Sequence, residues 1–337
     1  MTDEHPAPMR AVTRSGTELT LEAHEFEVGA LVTAKTYAAT GIVTLELRRT
    51  DGEPFPPWQP GAHIDLVLGA APTRQYSLCG DPSDQHTWRV GVLRDPNGSG
   101  SSRYVHDELQ VGATVRVRGP RNNFVLVDSP RYLFIAGGIG ITPLLPMIAD
   151  VDAAGGDWSL VYGGRERCSM GFLPELEAYG PRVNVTPQDE AGLLDLDAVL
   201  GSPQDDTLVY CCGPEALLAA VEDRCGRWQS GSLHVERFRP RPADEAAEST
   251  SFEVVLKQSG VTLSVPSDRS ILDIVDEAGV FVLSSCGEGT CGTCETGVID
   301  GRPDHRDSVL GEPERASNEC MMICVSRSQT PRLVLDL

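Results

Sequence analysis

Three cysteines, Cys286, Cys291 and Cys294, fall within nine residues of the stretch CGEGTCGTC. Spacings of four and then two residues match a plant-type [2Fe–2S] cluster, which takes its fourth thiolate from further along the chain. Gly287, Gly289 and Gly292 let the backbone close on such a cluster and aim N–H groups at its sulfurs. A zinc loop would add a second C-x2-C pair or histidines, and neither follows here. Two thiols downstream, Cys320 and Cys324, could each complete the set. Four apart on an extended strand, they would share a face, so periodicity leaves both open.

Other stretches suit a nucleotide. In AGGIGITPLLPM, 136–147, Gly137, Gly138 and Gly140 stand between a strand and a helix. Thr142 is expected to cap that helix, with Pro143 at its first position. Bare N–H groups at a helix start suit a diphosphate. VYCCGP, 209–214, is a second strand ending in a glycine turn, and such carboxyl ends face the ligand crevice of a doubly wound sheet. In RQYSL, 74–78, Arg74 and Ser77 can bind phosphate and Tyr76 can pack on a flat ring. DPNGSGSSR, 95–103, offers a hydroxyl-rich turn and an arginine.

The elements that position these residues follow from pattern. Short alternating segments such as GIVTLELRRT and WRVGVLRDPNGSG, punctuated by Gly, Pro and Asn, predict an antiparallel barrel over 26–128. From 129 to 238, apolar strands such as RYLFIAGG alternate with helical stretches such as TPLLPMIADVDAAG and PEALLAAVEDRCG. That predicts a doubly wound α/β sheet. RPRPADEAAESTS marks a linker over 239–250. A small domain follows over 251–337. There FEVVLKQSG and VTLSVP can pair as a hairpin, and SILDIVDEAG reads as a helix with Ser270 and Asp273 as a capping box and Gly279 past its end. Residues 1–25 form a polar N-terminal tail.

The 337-residue chain has a formal net charge of −21, which excludes a nucleic-acid binder and disfavours an anionic membrane surface. The charge serves solubility or forms an acidic docking face. No run approaches the ~18 apolar residues of a membrane span. The N-terminus lacks the pattern of a signal peptide, so a cytoplasmic location is expected. In that setting the ten cysteines are expected to be ligands or buried thiols rather than disulfides.

Taken together, RQYSL, GGIGITP, YGGR, CCGP, ERF and the cysteine loop resemble the phthalate dioxygenase reductase family, which includes vanillate demethylase reductases, over about 26–337. That resemblance implies a multidomain fold: an antiparallel flavin barrel, a doubly wound α/β nucleotide-binding domain and a β-grasp ferredoxin domain. It implies that Arg74, Tyr76 and Ser77 hold FMN, with backbone near Val92 and Leu93, and that Ser101 and Ser102 meet its phosphate. Phe238 would stack near the flavin. Gly138, Gly140 and Thr142 would lie by the NADH diphosphate or the flavin edge, and Cys212, Gly213 and Pro214 near the nicotinamide. The family selects Cys324 as fourth cluster ligand. The apolar MMICVS around Cys324 agrees, as does the polar SNE before Cys320. The tail before residue 26 and the extra thiol at Cys320 are departures.

NADH gives up two electrons at once as a hydride, a [2Fe–2S] cluster accepts one, and a flavin takes two and releases them singly. The flavin therefore belongs between them. No catalytic acid or base is required, and none is assigned. The expected function is the reductase component of an oxygenase system, feeding a Rieske-type dioxygenase or demethylase from NADH through FMN and the cluster. The alternatives are a free-standing NADH oxidoreductase for acceptors such as ferric chelates and a non-enzymatic redox sensor. FMN is expected over FAD, and NADH over NADPH despite Arg165 and Arg167. A monomer is expected, docking through the ferredoxin segment. Residues 251–337 hold 7 Lys and Arg against 14 Asp and Glu, a net of 7 − 14 = −7.

Overall fold

The computed structural model describes residues 26–241 and 249–337. The tail expected over 1–25 and the middle of the expected linker, 242–248, lie outside them. Three sheets follow one another along the chain.

The first is antiparallel, with strands β1 (Glu27–Ala39), β2 (Ile42–Arg49), β3 (His63–Val67), β4 (Arg74–Ser77), β5 (Trp88–Leu93) and β6 (Thr114–Arg121) in the order β4-β3-β6-β1-β2-β5. Alternation sets the faces: Leu45 and Leu47 of β2 are buried while Glu46 is exposed. The two edges meet at a Leu78–Val90 bridge, which closes the sheet into a barrel. Trp88 and Phe55 stack inside it, centroids 3.9 Å apart. Two elements here escaped the sequence pattern. The long β1 carries four alanines, a glycine and a lysine, poor strand formers that its pairing with β2 and β6 overrides. The second is helix α1 (Ser101–Asp107), which begins in what reads as a serine turn.

The second sheet is wholly parallel, with β7 (Arg131–Gly137), β8 (Asp157–Gly164), β9 (Val183–Pro187), β10 (Thr207–Cys212) and β11 (Leu233–Glu236) in the order β11-β10-β7-β8-β9. Helices α2 (Leu144–Ala153), α3 (Leu173–Glu177), α4 (Gln188–Ala191), α5 (Leu196–Leu200) and α6 (Glu215–Cys225) connect the strands. Strand β7 shows why its sequence is continuously apolar. Tyr132 and Phe134 pack with Leu144 and Ile148 of α2, whereas Leu133 and Ile135 pack with Leu218 and Val221 of α6. The sheet is covered on both faces, as doubly wound sheets are.

The third unit carries a mixed sheet of β12 (Phe252–Leu256), β13 (Val261–Val265), β14 (Glu295–Asp300), β16 (Cys320–Met322) and β18 (Arg332–Leu335), in the order β13-β12-β18-β14-β16. A two-stranded ladder, β15 (Pro303–Asp304) with β17 (Arg327–Ser328), lies apart from it. The β12–β13 hairpin forms as expected, and β18 runs parallel to β12, giving the β-grasp. Helix α7 (Ile271–Glu277) buries Ile271 and Val275. Its capping box is present: Ser270 Oγ accepts from the Asp273 N–H at 3.0 Å and Asp273 Oδ2 from the Ser270 N–H at 3.2 Å. Gly279 follows at φ 79°. Helix α8 (Glu312–Ser317) leads into β16. Among the described residues no helix is long and apolar enough to cross a membrane.

Candidate functional site

The cysteine loop spans the gap between α7 and β14. Gly287, Gly289 and Gly292 all have positive φ, between 65° and 75°. At two of them space matters as well. A Cβ on Gly289 would fall 2.5 Å from Val325 Cγ2, and one on Gly292 would fall 2.8 Å from Asn123 Nδ2. The turns aim N–H groups at sulfur: Glu288 and Thr290 donate to Cys286 Sγ at 3.3 and 3.4 Å.

Cys291, Cys294 and Cys324 are buried and Cys286 is half-buried. The thiols share their protons. Hydrogen bonds from Cys291 and Cys324 pull the Cys286 thiol far below its ordinary range, and one from Cys324 pulls Cys294 down. Cys291 and Cys324 are pushed up in turn by donating to those sulfurs. Among the described residues no three metal-ligating side chains converge on a single ion. The sulfurs instead form one connected row, Cys291–Cys286–Cys324–Cys294, which brings together the four thiolates a two-iron cluster takes.

Strand β16 ends at Met322, and the turn after it carries Cys324, so the shared-face argument for an extended strand does not apply. Cys320 stands in β16 beside Glu295, where burial first and then carboxylates push its thiol up to about 11. Met321, Met322 and Ile323 are wholly buried around the Cys324 turn.

The loop lies against the barrel. Asn123 Nδ2 donates to the Cys291 carbonyl at 3.0 Å, and Ser285, one residue before Cys286, meets Gln75 Nε2 at 3.1 Å. Strand β4 therefore joins the two regions, because Arg74, Tyr76 and Ser77 flank Gln75 on it. Arg74 donates to the Thr73 carbonyl at 3.0 Å and reaches Glu288 at 3.5 Å. Burial pushes the Tyr76 phenol up to about 12. Ser77 Oγ is buried with no hydrogen-bond partner among the described residues, an orphan that a flavin ring nitrogen or carbonyl would satisfy.

Beside Ser77 lies a carboxylate that sequence reasoning passed over. Glu236 ends β11 in register with Cys212 of β10, and its Oε2 is 3.8 Å from Cys212 Sγ. Burial pushes the carboxyl up to about 8, although Cys212 and then Ser77 pull it down. The Ser77 contact is looser than a normal hydrogen bond. The sequence signal for Glu236 is the ERF stretch, in which Phe238 is the more conspicuous residue. Phe238 is 42% exposed. Arg237, between them, is buried and held by Glu215 at 3.0 Å and Glu222 at 2.7 Å. Arg239 crosses to Asp95 in the serine loop.

In that loop Ser101 Oγ donates to the Pro72 carbonyl at 2.5 Å, and Ser102 Oγ accepts from the Asp95 N–H at 3.0 Å. Ser101's proton is thus used on the β3–β4 connection, while that of Ser102 stays available for a phosphate oxygen. Nearby Arg103 lines a cleft of about 290 Å³ with Pro72, Ser99 and Gly100. Val92 is buried in the barrel core and its carbonyl meets His106 at 2.9 Å; Leu93 is 42% exposed.

At the carboxyl ends of β7 and β10 two glycine turns interlock. A Cβ on Gly140 would lie 2.3 Å from the Cys212 carbonyl oxygen, and one on Gly213 would lie 3.0 Å from the Gly137 Cα. Gly138–Ile141 form a 3-10 turn, and α2 begins only at Leu144, after Pro143. Thr142 does not cap α2: its hydroxyl donates back to the Ile139 carbonyl at 2.9 Å, because the 3-10 turn places that acceptor nearest. Its methyl group meets β5 instead, where a Cβ on Gly91 would fall 2.8 Å away. The nucleotide turn and the barrel therefore touch at Thr142. Past β8, Arg167 is held by Glu190 through two bonds of 2.7 and 2.8 Å, while no carboxylate among the described residues clamps Arg165 in that way.

Comparison with known proteins agrees with this geometry. Residues 134–223 match the oxidoreductase NAD-binding domain, and residues 254–329 the 2Fe-2S iron-sulfur cluster binding domain. The chain is 41% identical over 312 residues to phenoxybenzoate dioxygenase subunit beta of Ectopseudomonas oleovorans, covering 92% of this chain and 97% of that protein. An intact type IV self-sufficient cytochrome P450 monooxygenase matches with TM-score 0.88 and 44% identity over 96% of this chain, which spans 43% of that one. The structure of phthalate dioxygenase reductase, described as modular for electron transfer from pyridine nucleotides to [2Fe–2S], matches with TM-score 0.67 and 36% identity over 92% of this chain and 98% of that one. With four clustered thiols and similarity of 36% identity over nearly the whole length of both chains, the chain belongs to the phthalate dioxygenase reductase family.

Proposed function

We propose that this chain passes electrons from NADH through FMN and a [2Fe–2S] cluster to a separate terminal oxygenase, a Rieske-type dioxygenase or demethylase. The observation that carries the reading is the seating of the cysteine loop on β4, the strand of the flavin residues. When bound, a flavin takes up a hydride and releases its electrons one at a time, and the cluster carries single electrons onward.

The chain's own groups position and enclose. Ser77 offers its orphaned hydroxyl and Tyr76 its ring to the flavin, while Ser102 and Arg103 meet the FMN phosphate. Gly138 and Gly140 admit the NADH diphosphate, and Cys212, Gly213 and Pro214 border the nicotinamide. Glu236, half-buried with its carboxyl raised above the usual carboxylate range, can when protonated donate a hydrogen bond beside Cys212 without placing a negative charge there. Cys286, Cys291, Cys294 and Cys324 hold the cluster. Flavin strand and cluster loop meet within one chain, so a monomer suffices for the route, and the exposed acidic side of residues 251–337 docks the oxygenase.

Rapid NADH-driven turnover of a purified oxygenase partner, with FMN as the flavin released by heat, supports this reading. Reduction of ferric chelates with no transfer to any oxygenase would favour the free-standing oxidoreductase. Failure to reduce cytochrome c with NADH would favour the sensor.

A further inference from the structure

Asp65 is a carboxylate inside the barrel wall. It sits on β3 with no solvent exposure, flanked by the buried Ile64 and Leu66. A buried charge weakens a barrel unless every lone pair finds a donor. Arg121 and Gln75 supply two, the latter from Nε2 to Oδ1 at 2.7 Å. The third comes from across the molecule: Ser285 Oγ donates to Oδ2 at 2.5 Å, over a sequence separation of 220. Gln75 Nε2 also donates to Ser285 Oγ at 3.1 Å, so that one hydroxyl is held from both sides.

The two ends of this network matter. Ser285 directly precedes Cys286, and Gln75 lies between Arg74 and Tyr76 on the flavin strand. A second contact, Asn123 to the Cys291 carbonyl at 3.0 Å, pins the far side of the same loop. Arg74 and Glu288 add only a loose, exposed pair at 3.5 Å. If the loop lifts off, Asp65 Oδ2 gives up the charge-assisted hydrogen bond from the Ser285 hydroxyl, which opposes lifting. Seating of the cysteine loop thus completes the donor set of the buried carboxylate.

We propose that Asp65 and Ser285 form a latch that seats the cluster loop on the flavin strand, making both of them positioning residues for electron transfer from flavin to cluster. The proposal rests on the electron route given above and adds the contact that fixes its second step.

The test uses the loaded full chain and the variants Ser285→Ala and Asp65→Asn. Stopped-flow mixing with NADH follows flavin bleaching and then cluster reduction; hydrogen exchange follows the amides of residues 284–292. Flavin bleaching and the oxidised cluster spectrum should match wild type. Cluster reduction should slow by about tenfold or more, and loop exchange should quicken by about tenfold, the loss of one charge-assisted hydrogen bond. A merely structural role would not separate the two electron-transfer steps. Ser285→Ala alone decides the matter if Asp65→Asn fails to fold. Cluster reduction and loop exchange at wild-type rates would overturn the latch. Wild-type protein whose cluster never reduces with NADH would instead overturn the route on which it rests.

Discussion

Replacing Gly289 by alanine should empty the cluster site, whereas the same change at Gly287 should be tolerated. Both glycines have positive φ, 70° and 65°. An alanine in that region costs about 1–2 kcal/mol at either position. The surroundings differ. At Gly287 nothing lies within 4 Å of the added Cβ, whereas at Gly289 it meets Val325 Cγ2 at 2.5 Å and the Asp307 Cα at 3.1 Å. The second contact is backbone and cannot swing aside, so forced overpacking adds about 1–3 kcal/mol. The difference converts to a factor of roughly 5 to 150 in retention of the seated loop. The assay is the rate of visible-absorbance loss on challenge with an iron chelator, compared across wild type and both variants. Similar rates for the two variants, or faster loss from Gly287→Ala, would refute the claim that close packing against Val325 and Asp307 holds the loop.

Further outcomes follow from the same geometry. The Glu236 carboxyl, pushed up to about 8 by burial, holds a proton in the folded chain that the unfolded chain releases near its ordinary value. Its contribution to stability is therefore fully present below about 4.5 and lost as pH rises through about 8. Glu236→Gln should flatten that decline, as read from unfolding midpoints across the range. Glu190 clamps Arg167 past β8, where a ribose 2′-phosphate would sit. Wild type should prefer NADH, and Glu190→Gln should raise kcat/KM for NADPH by up to about tenfold, the worth of one freed charge-assisted contact; no change would remove Glu190 from nucleotide choice. The net charge of −7 over 251–337 should steer a basic partner face, so the electron-transfer on-rate should fall with rising salt. A flat rate would exclude steering.

The parts legible in sequence are those whose chemistry is local. Three cysteines and three glycines in nine residues declare a cluster loop because all the constraints lie in that stretch. The capping box of Ser270 and Asp273 is likewise complete within four residues. What escaped depends on distant partners. Strand β1 is legible only through its neighbours β2 and β6. Thr142 looked like a helix cap until the 3-10 turn placed the Ile139 carbonyl within its reach. Glu236 gains its meaning from Cys212 on the adjacent parallel strand, and Asp65 from a serine 220 positions away. Between Cys320 and Cys324 the sequence offered an extended strand, whereas the chain turns after Met322 and sends the two sulfurs to different surroundings.

That last difference provides the most direct measurement. Cys324→Ser and Cys320→Ser are each mixed with NADH, and flavin bleaching, the reduced-state EPR signal and cytochrome c reduction are recorded. The account predicts that Cys324→Ser still bleaches its flavin but loses the EPR signal and cytochrome c reduction, while Cys320→Ser keeps all three. A Cys324→Ser protein that retains its cluster and reduces cytochrome c at the wild-type rate would contradict it.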